Sequence, residues 1–117
     1  MAERLDQHNT DLPGGKDWVI DTFYDDRIFL HPNAKLEIVA GAAVYRPIHA
    51  QSHSEIVVRG VARTDITMHP YSKIYVYGFI QSLRVKEGAE VHIYGGNVHN
   101  LESTCGKIYF YGRGYRA

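Results

Sequence analysis

The sequence predicts an all-β fold: a single three-sided β-solenoid (β-helix) of about five coils, with roughly 17–20 residues per coil. Three observations carry that expectation. Ser72–Gly78, Ala89–Gly95 and Gly106–Gly112 are versions of one phrase: a small residue, a charge, alternating apolar and polar residues, and a closing glycine. Their glycines lie 17 residues apart each time. Alternation at period two is a strand with one buried face, and a strand that returns at a short fixed interval marks a coil repeating itself.

The second observation is a charge column. Lys35, Glu55, Lys73, Glu90 and Lys107 alternate in sign at spacings of 20, 18, 17 and 17 residues, and each follows a small residue: Ala34, Ser54, Ser72, Ala89 or Gly106. The third is a finer period. Ile38, Val44, Ala50, Ile56, Ala62, Met68, Ile74 and Ile80 are spaced six apart. Three such hexads make one coil of short strands joined at corners where only small residues fit.

Taken in order, residues 1–17 are polar and punctuated by Leu12-Pro13-Gly14-Gly15, which opposes a continuing helix. They read as an N-terminal lead-in, with the solenoid domain at 18–117. Trp18–Tyr24 reads as the first strand or the lid of the array, with Trp18 a capping core residue, because terminal repeats must cover an open core. From Arg27 onward the coils register. The first four have an apolar strand beginning at Ile28, Ile48, Ile66 or Leu83, with Leu30, Ala50, Met68 or Val85 as its inward partner, and in the fifth the equivalent stretch, Leu101 to Gly106, is one residue shorter. After Ile80 one residue is dropped, and the hexads resume at Val85 and Val91.

Equivalent residues of adjacent coils stack about 4.8 Å apart. Like charges at that distance repel, so the alternating column predicts a ladder of exposed pairs, each contributing less than about 1 kcal/mol. A Greek-key sandwich gives no reason for equal columns at constant period. Apolar spacings of two and six make no helical stripe.

Composition narrows the function. The 117 residues form one domain, and 13 basic residues balance 13 acidic ones, so no global field recruits nucleic acid or an acidic membrane. No apolar run approaches ~18 residues and no charged-then-apolar leader precedes one, so neither a membrane helix nor a signal peptide is expected. Cys105 is the only cysteine, which excludes an internal disulfide and fits a reducing, cytoplasmic setting.

The residues that could do chemistry are dispersed. Of seven histidines, His31 and His69 share a column but stand two coils apart, too far for one zinc ion, and His49, His53, His92 and His99 fall in other columns. Cys105 precedes Gly106 in a corner and reads as an inert thiol. Tyr94-Gly95-Gly96-Asn97 and Tyr111–Tyr115 lack the following helix and the Gly-Lys-Ser/Thr of a phosphate loop, and read as tight corners. No metal, cofactor or catalytic residue is expected.

What remains is the outer face of the strand that carries the charge column. With Ile74/Val76, Val91/Ile93 and Ile108/Phe110 pointing inward, Tyr75/Tyr77, His92/Tyr94 and Tyr109/Tyr111 point outward. Five of the chain's nine tyrosines gather there, with Arg59 one coil earlier as a rim. Contiguous exposed aromatic area marks a binding surface, so these seven residues are the candidate partner-binding site. Arg113–Ala117 are too few to cap the last coil with a helix, and an uncovered coil presents strand edges that pair with another chain. Self-association into a homo-oligomer is therefore expected as well.

Lys86–Glu90 and Val91–Gly95 resemble the coils of the β-helical C-terminal domain of the septum-site inhibitor MinC and those of the bactofilins. The resemblance runs roughly from Arg27 to Gly112 and consists of repeat grammar. It implies a right-handed coil, no catalysis, and function through protein partners or polymerisation. Two alternatives stand beside it: a compact inhibitor, of viral or other origin, that covers a target protein, and a hexapeptide-repeat-like acyltransferase with left-handed coils and a catalytic histidine at a subunit interface.

Overall fold

The computed structural model describes residues 3–4, 11–103 and 106–111. Cys105 and the segment 112–117 lie outside the described residues, so the readings of that thiol and of the C-terminal tail are not addressed by it. Among the described residues, fifteen strands and no helix account for the regular structure. In chain order they are β1 (Glu3–Arg4), β2 (Asp11–Leu12), β3 (Asp17–Ile20), β4 (Phe23–Tyr24) and β5 (Ile28–Leu30). Then follow β6 (Lys35–Ile38), β7 (Ala43–Val44), β8 (Ile48–Ala50), β9 (Glu55–Val58) and β10 (Val61–Met68). The last are β11 (Lys73–Val76), β12 (Phe79–Val85), β13 (Glu90–Tyr94), β14 (Asn97–Ser103) and β15 (Lys107–Tyr111).

Every pairing is parallel and joins a strand to its equivalent one coil away. One side of the solenoid is the sheet β1-β3-β6-β9-β11-β13-β15. A second is built from β2, β5, β8 and the C-terminal parts of β10, β12 and β14. A short third set consists of β4, β7 and the first residues of β10, β12 and β14. The body has about six turns rather than the five expected, because the coil that begins at Asp17 is registered in full. Asp17 pairs with Lys35, and Phe23 and Tyr24 pair with Ala43 and Val44, so Trp18–Tyr24 is part of an ordinary coil and not a lid. Trp18 stands in the inward column beside Leu36 and packs half-buried against the core.

The core is a set of aliphatic columns. All eight hexad residues from Ile38 to Ile80 are fully buried, as are Ile28, Leu30, Ile48, Ile66 and Leu83. The dropped residue lies where the period predicts it: the β10–β12 register slips between Ala62 and Asp65, opposite Ile80 and Ser82. The longest coil is also explained. Ile20 pairs with Ile38 but Phe23 with Ala43, so two extra residues loop out at the corner around Gly41.

Two kinds of corner follow from the sequence. Between the second and first sides the chain makes tight turns such as His31–Ala34 and His69–Ser72, closed by the amide of the fourth residue donating to the carbonyl of the first. The third residue has positive φ: Asn33, His53, Tyr71 and Gly88 lie at 65–85°. Proline at 32 and 70, the second position of the turn, fixes its own φ at the value this turn type needs. The fourth residue is the small one of the sequence pattern. It is buried, and Ser54 and Ser72 satisfy their hydroxyls by donating to the Gln51 and His69 carbonyls at 2.6 Å. At another corner Gly60, Gly78 and Gly96 stack in a column where a Cβ would strike the carbonyl of the coil beneath.

The charge column is in register and one rung longer than expected: Asp17, Lys35, Glu55, Lys73, Glu90, Lys107. Among the described residues these neighbours make no direct ion pair with one another, so the alternation acts through space rather than as a ladder of closed pairs.

Candidate functional site

The seven residues singled out on the first side are brought together. Tyr75, His92 and Tyr109 occupy one column of the sheet by direct register. Tyr94 pairs with Tyr111 in the next outward column, and Tyr77 and Arg59 continue it through the earlier coils. The strands hold these side chains outward because their inward neighbours Ile74, Val76, Val91 and Ile93 are fully buried.

Parallel pairing in register puts like residues directly above one another, so the rings stack. Tyr75 and His92 have centroids 5.1 Å apart, His92 and Tyr109 4.9 Å, Tyr77 and Tyr94 5.0 Å, and Tyr94 and Tyr111 4.5 Å. All four pairs lie within 15° of parallel. Stacking occupies the ring faces, and leaves ring edges and hydroxyls toward solvent. Ring edges carry the positive end of the aromatic quadrupole and hydroxyls donate as well as accept, so the face suits carbonyl and carboxylate oxygens. Tyr77, Tyr94, Tyr109 and Tyr111 remain 37–40% exposed, while Tyr75 and His92 are half-buried.

Arg59 closes one end. Its guanidinium lies 4.4 Å from the Tyr77 ring centroid, and its Nε donates to Glu37 Oε2 at 3.1 Å. At the other end three polar groups form a chain. Glu90 Oε1 is 3.1 Å from His92 Nε2, and His92 Nδ1 is 3.0 Å from the Tyr111 hydroxyl. The ionised carboxylate only accepts, so Nε2 carries the imidazole proton and Nδ1 is left to accept from Tyr111. Burial, then the Tyr94 and Tyr109 hydroxyls, then the Tyr94 hydrogen bond and the Glu90 charge push the Tyr111 phenol up from its ordinary value. Tyr75 is raised too, by burial first and then by Glu55, Tyr94, Glu90 and Tyr77. Both phenols therefore hold their protons to higher pH than a free tyrosine.

Glu37 and Glu90 were not singled out as site residues from sequence. The signal was present: in a strand residues i and i+2 share a face, which places Glu90 beside His92, and Glu37 lies in the column that leads through Val57 to Tyr75. The other histidines among the described residues are scattered as the register requires. His31 reaches Asp11 at 3.2 Å, His49 stacks on Phe29, and His53 stacks on Tyr71. Among the described residues no group of three or more His, Cys, Asp or Glu side chains could hold a metal ion. Among the described residues, also, no helix is long and apolar enough to cross a membrane.

Comparison with protein-family models, curated proteins and solved structures gave no match. What the structure shows is a β-solenoid of about six turns, with no family named by it.

Proposed function

We propose that this chain is a non-enzymatic protein-binding β-solenoid whose working surface is the tyrosine face. The observation that carries the reading is the two-column array of Tyr75, Tyr77, His92, Tyr94, Tyr109 and Tyr111, pre-ordered by ring stacking. A partner meeting it immobilises few rotamers, because neighbouring rings already hold the side chains, and ordered aromatic side chains are what binding hot spots are made of. Arg59, held by Glu37, adds a charged edge to the same surface.

A second reading, self-association through the last coil, has its own support. Phe110 continues the column of Val76 and Ile93, yet is 42% exposed where those two are fully buried. Among the described residues β15 and β14 are outermost in their sheets, and outermost strands are templates for pairing.

Affinity capture from an extract of the source cells, with wild type beside a Tyr75→Ser, Tyr94→Ser, Tyr109→Ser triple variant, tests the first reading. A protein retained by wild type and lost by the folded triple variant supports it, and equal retention refutes it. Sedimentation of the same samples over a concentration series tests the second.

A further inference from the structure

The geometry points to Tyr94 and Tyr111 as an oxidative cross-linking site: Tyr111 surrenders an electron while its proton passes to His92, and the two rings join as a dityrosine that staples two successive coils. Three features coincide at this pair alone among the tyrosine stacks of the face. The rings are the closest and most nearly parallel, at 4.5 Å and 9°. Tyr111 has a base in place, since its hydroxyl lies 3.0 Å from His92 Nδ1. Glu90, 3.1 Å from Nε2, fixes the tautomer that leaves Nδ1 free to accept and stabilises the imidazolium once formed. Tyr77 stacks on Tyr94 almost as closely, at 5.0 Å, but the imidazole is hydrogen-bonded to Tyr111 instead.

A one-electron oxidant takes an electron from each phenol. The Tyr111 proton moves to His92 Nδ1, the Tyr94 proton goes to water, and two neutral tyrosyl radicals result. A carbon ortho to each oxygen forms the new C–C bond, and the displaced ring hydrogens return each ring to its phenol form. His92 then releases its proton to water, so the net change is the loss of two electrons to two equivalents of oxidant and of two protons to solvent. Neighbouring strands already hold the rings in register, so the bond forms within one molecule and joins β13 to β15.

The test uses the full chain at high dilution with a photogenerated ruthenium(III) polypyridyl oxidant. The expected product is a monomer lighter by two hydrogens, with blue dityrosine fluorescence and a single cross-linked peptide containing Tyr94 and Tyr111. Tyr111→Phe abolishes that adduct, and His92→Ala lowers its initial rate roughly tenfold or more, with free imidazole restoring much of it. Imidazole rescue separates proton acceptance from a loss of ring packing. Adducts spread over Tyr45, Tyr71 or Tyr77, only intermolecular products, or an unchanged yield in Tyr111→Phe each overturn the site. An unchanged rate in His92→Ala, or no rescue, overturns the proton relay.

Discussion

Tyr94 and Tyr111 lie face to face, with ring centroids 4.5 Å apart and planes 9° from parallel, because β13 and β15 pair in parallel with these two residues opposite each other. The same pairing rule sets every contact on the face. It fixes which phenols sit near which carboxylates, and so how the protein responds to alkali.

Tyr75 and Tyr111 have folded pKa values above the ordinary 10.0. The folded state therefore keeps phenolic protons at a pH where the unfolded chain has released them. Stability contributed this way is complete below pH 10.0 and declines as pH rises through the folded values. Thermal melts from neutral pH to above pH 10.0 are expected to show a falling midpoint on the alkaline side. Tyr75→Phe flattens the fall, and an identical slope in that variant contradicts the assignment.

His69 behaves in the opposite sense. Burial first, then Lys86 and His49, lower its pKa below 6.5. The unfolded chain takes up a proton before the folded one, so stability is complete above pH 6.5 and is lost as pH falls from there through the folded value. Lys86 follows His69 at the equivalent corner one coil on, and His49 lies in β8 beside Ala50, whose carbonyl accepts from the His69 amide. His69→Gln is expected to remove part of the acid-side slope in urea titrations across that window, without changing the unfolding free energy at neutral pH by more than about 0.5 kcal/mol.

The glycine column makes a prediction about shape. A Cβ on Gly78 would collide with the Gly60 carbonyl oxygen, whereas Gly95 has open space and a φ of 81°. Gly78→Ala is expected to cost about 3 kcal/mol because backbone rather than side chain must move. Gly95→Asn is expected to cost less than about 1 kcal/mol, since asparagine tolerates the left-handed region. Equilibrium denaturation of the two variants measures the contrast, and similar costs would rule out close coil approach as the reason for the column.

Lys73 stands in register between Glu55 and Glu90. Lys73→Glu puts three like charges in succession, at an expected cost of about 1 kcal/mol at low salt. Because no direct ion pair holds the column, most of that cost is expected to vanish when salt screens it. A loss that persists at high salt would point to packing of the lysine stem instead.

Much of this was legible in the sequence because a solenoid writes its contacts at constant separation. The alternation at Lys73–Val76 gave the inward and outward faces, the hexads from Ile38 gave the core, and the skipped residue after Ile80 located the register slip. Coil lengths of 17 to 20 residues marked where corners lengthen or shorten. The first coil was harder to read. Lys16 replaces the small residue at its corner and Tyr24 stands where later coils have Val44 or Ala62, so its pattern differs although its pairing does not. The left-handed residues His53 and Tyr71 were also unreadable by type, since such positions favour glycine or asparagine. Only alignment with Asn33 and Gly88 reveals them. On the tyrosine face the columns were evident, but the Glu90–His92–Tyr111 chain depends on rotamers that a period cannot specify.

Placing a photoreactive phenylalanine analogue at Tyr94, and in a second sample at Thr67 on another side of the solenoid, tests the tyrosine-face reading most directly. Irradiation in an extract of the source cells is expected to give one discrete adduct from position 94 and none of that mass from position 67. Excess wild-type chain is expected to suppress the adduct, and the Tyr75→Ser, Tyr94→Ser, Tyr109→Ser variant to leave it. Equal labelling from both positions, or equal suppression by both competitors, would contradict the assignment of the tyrosine face as the partner surface.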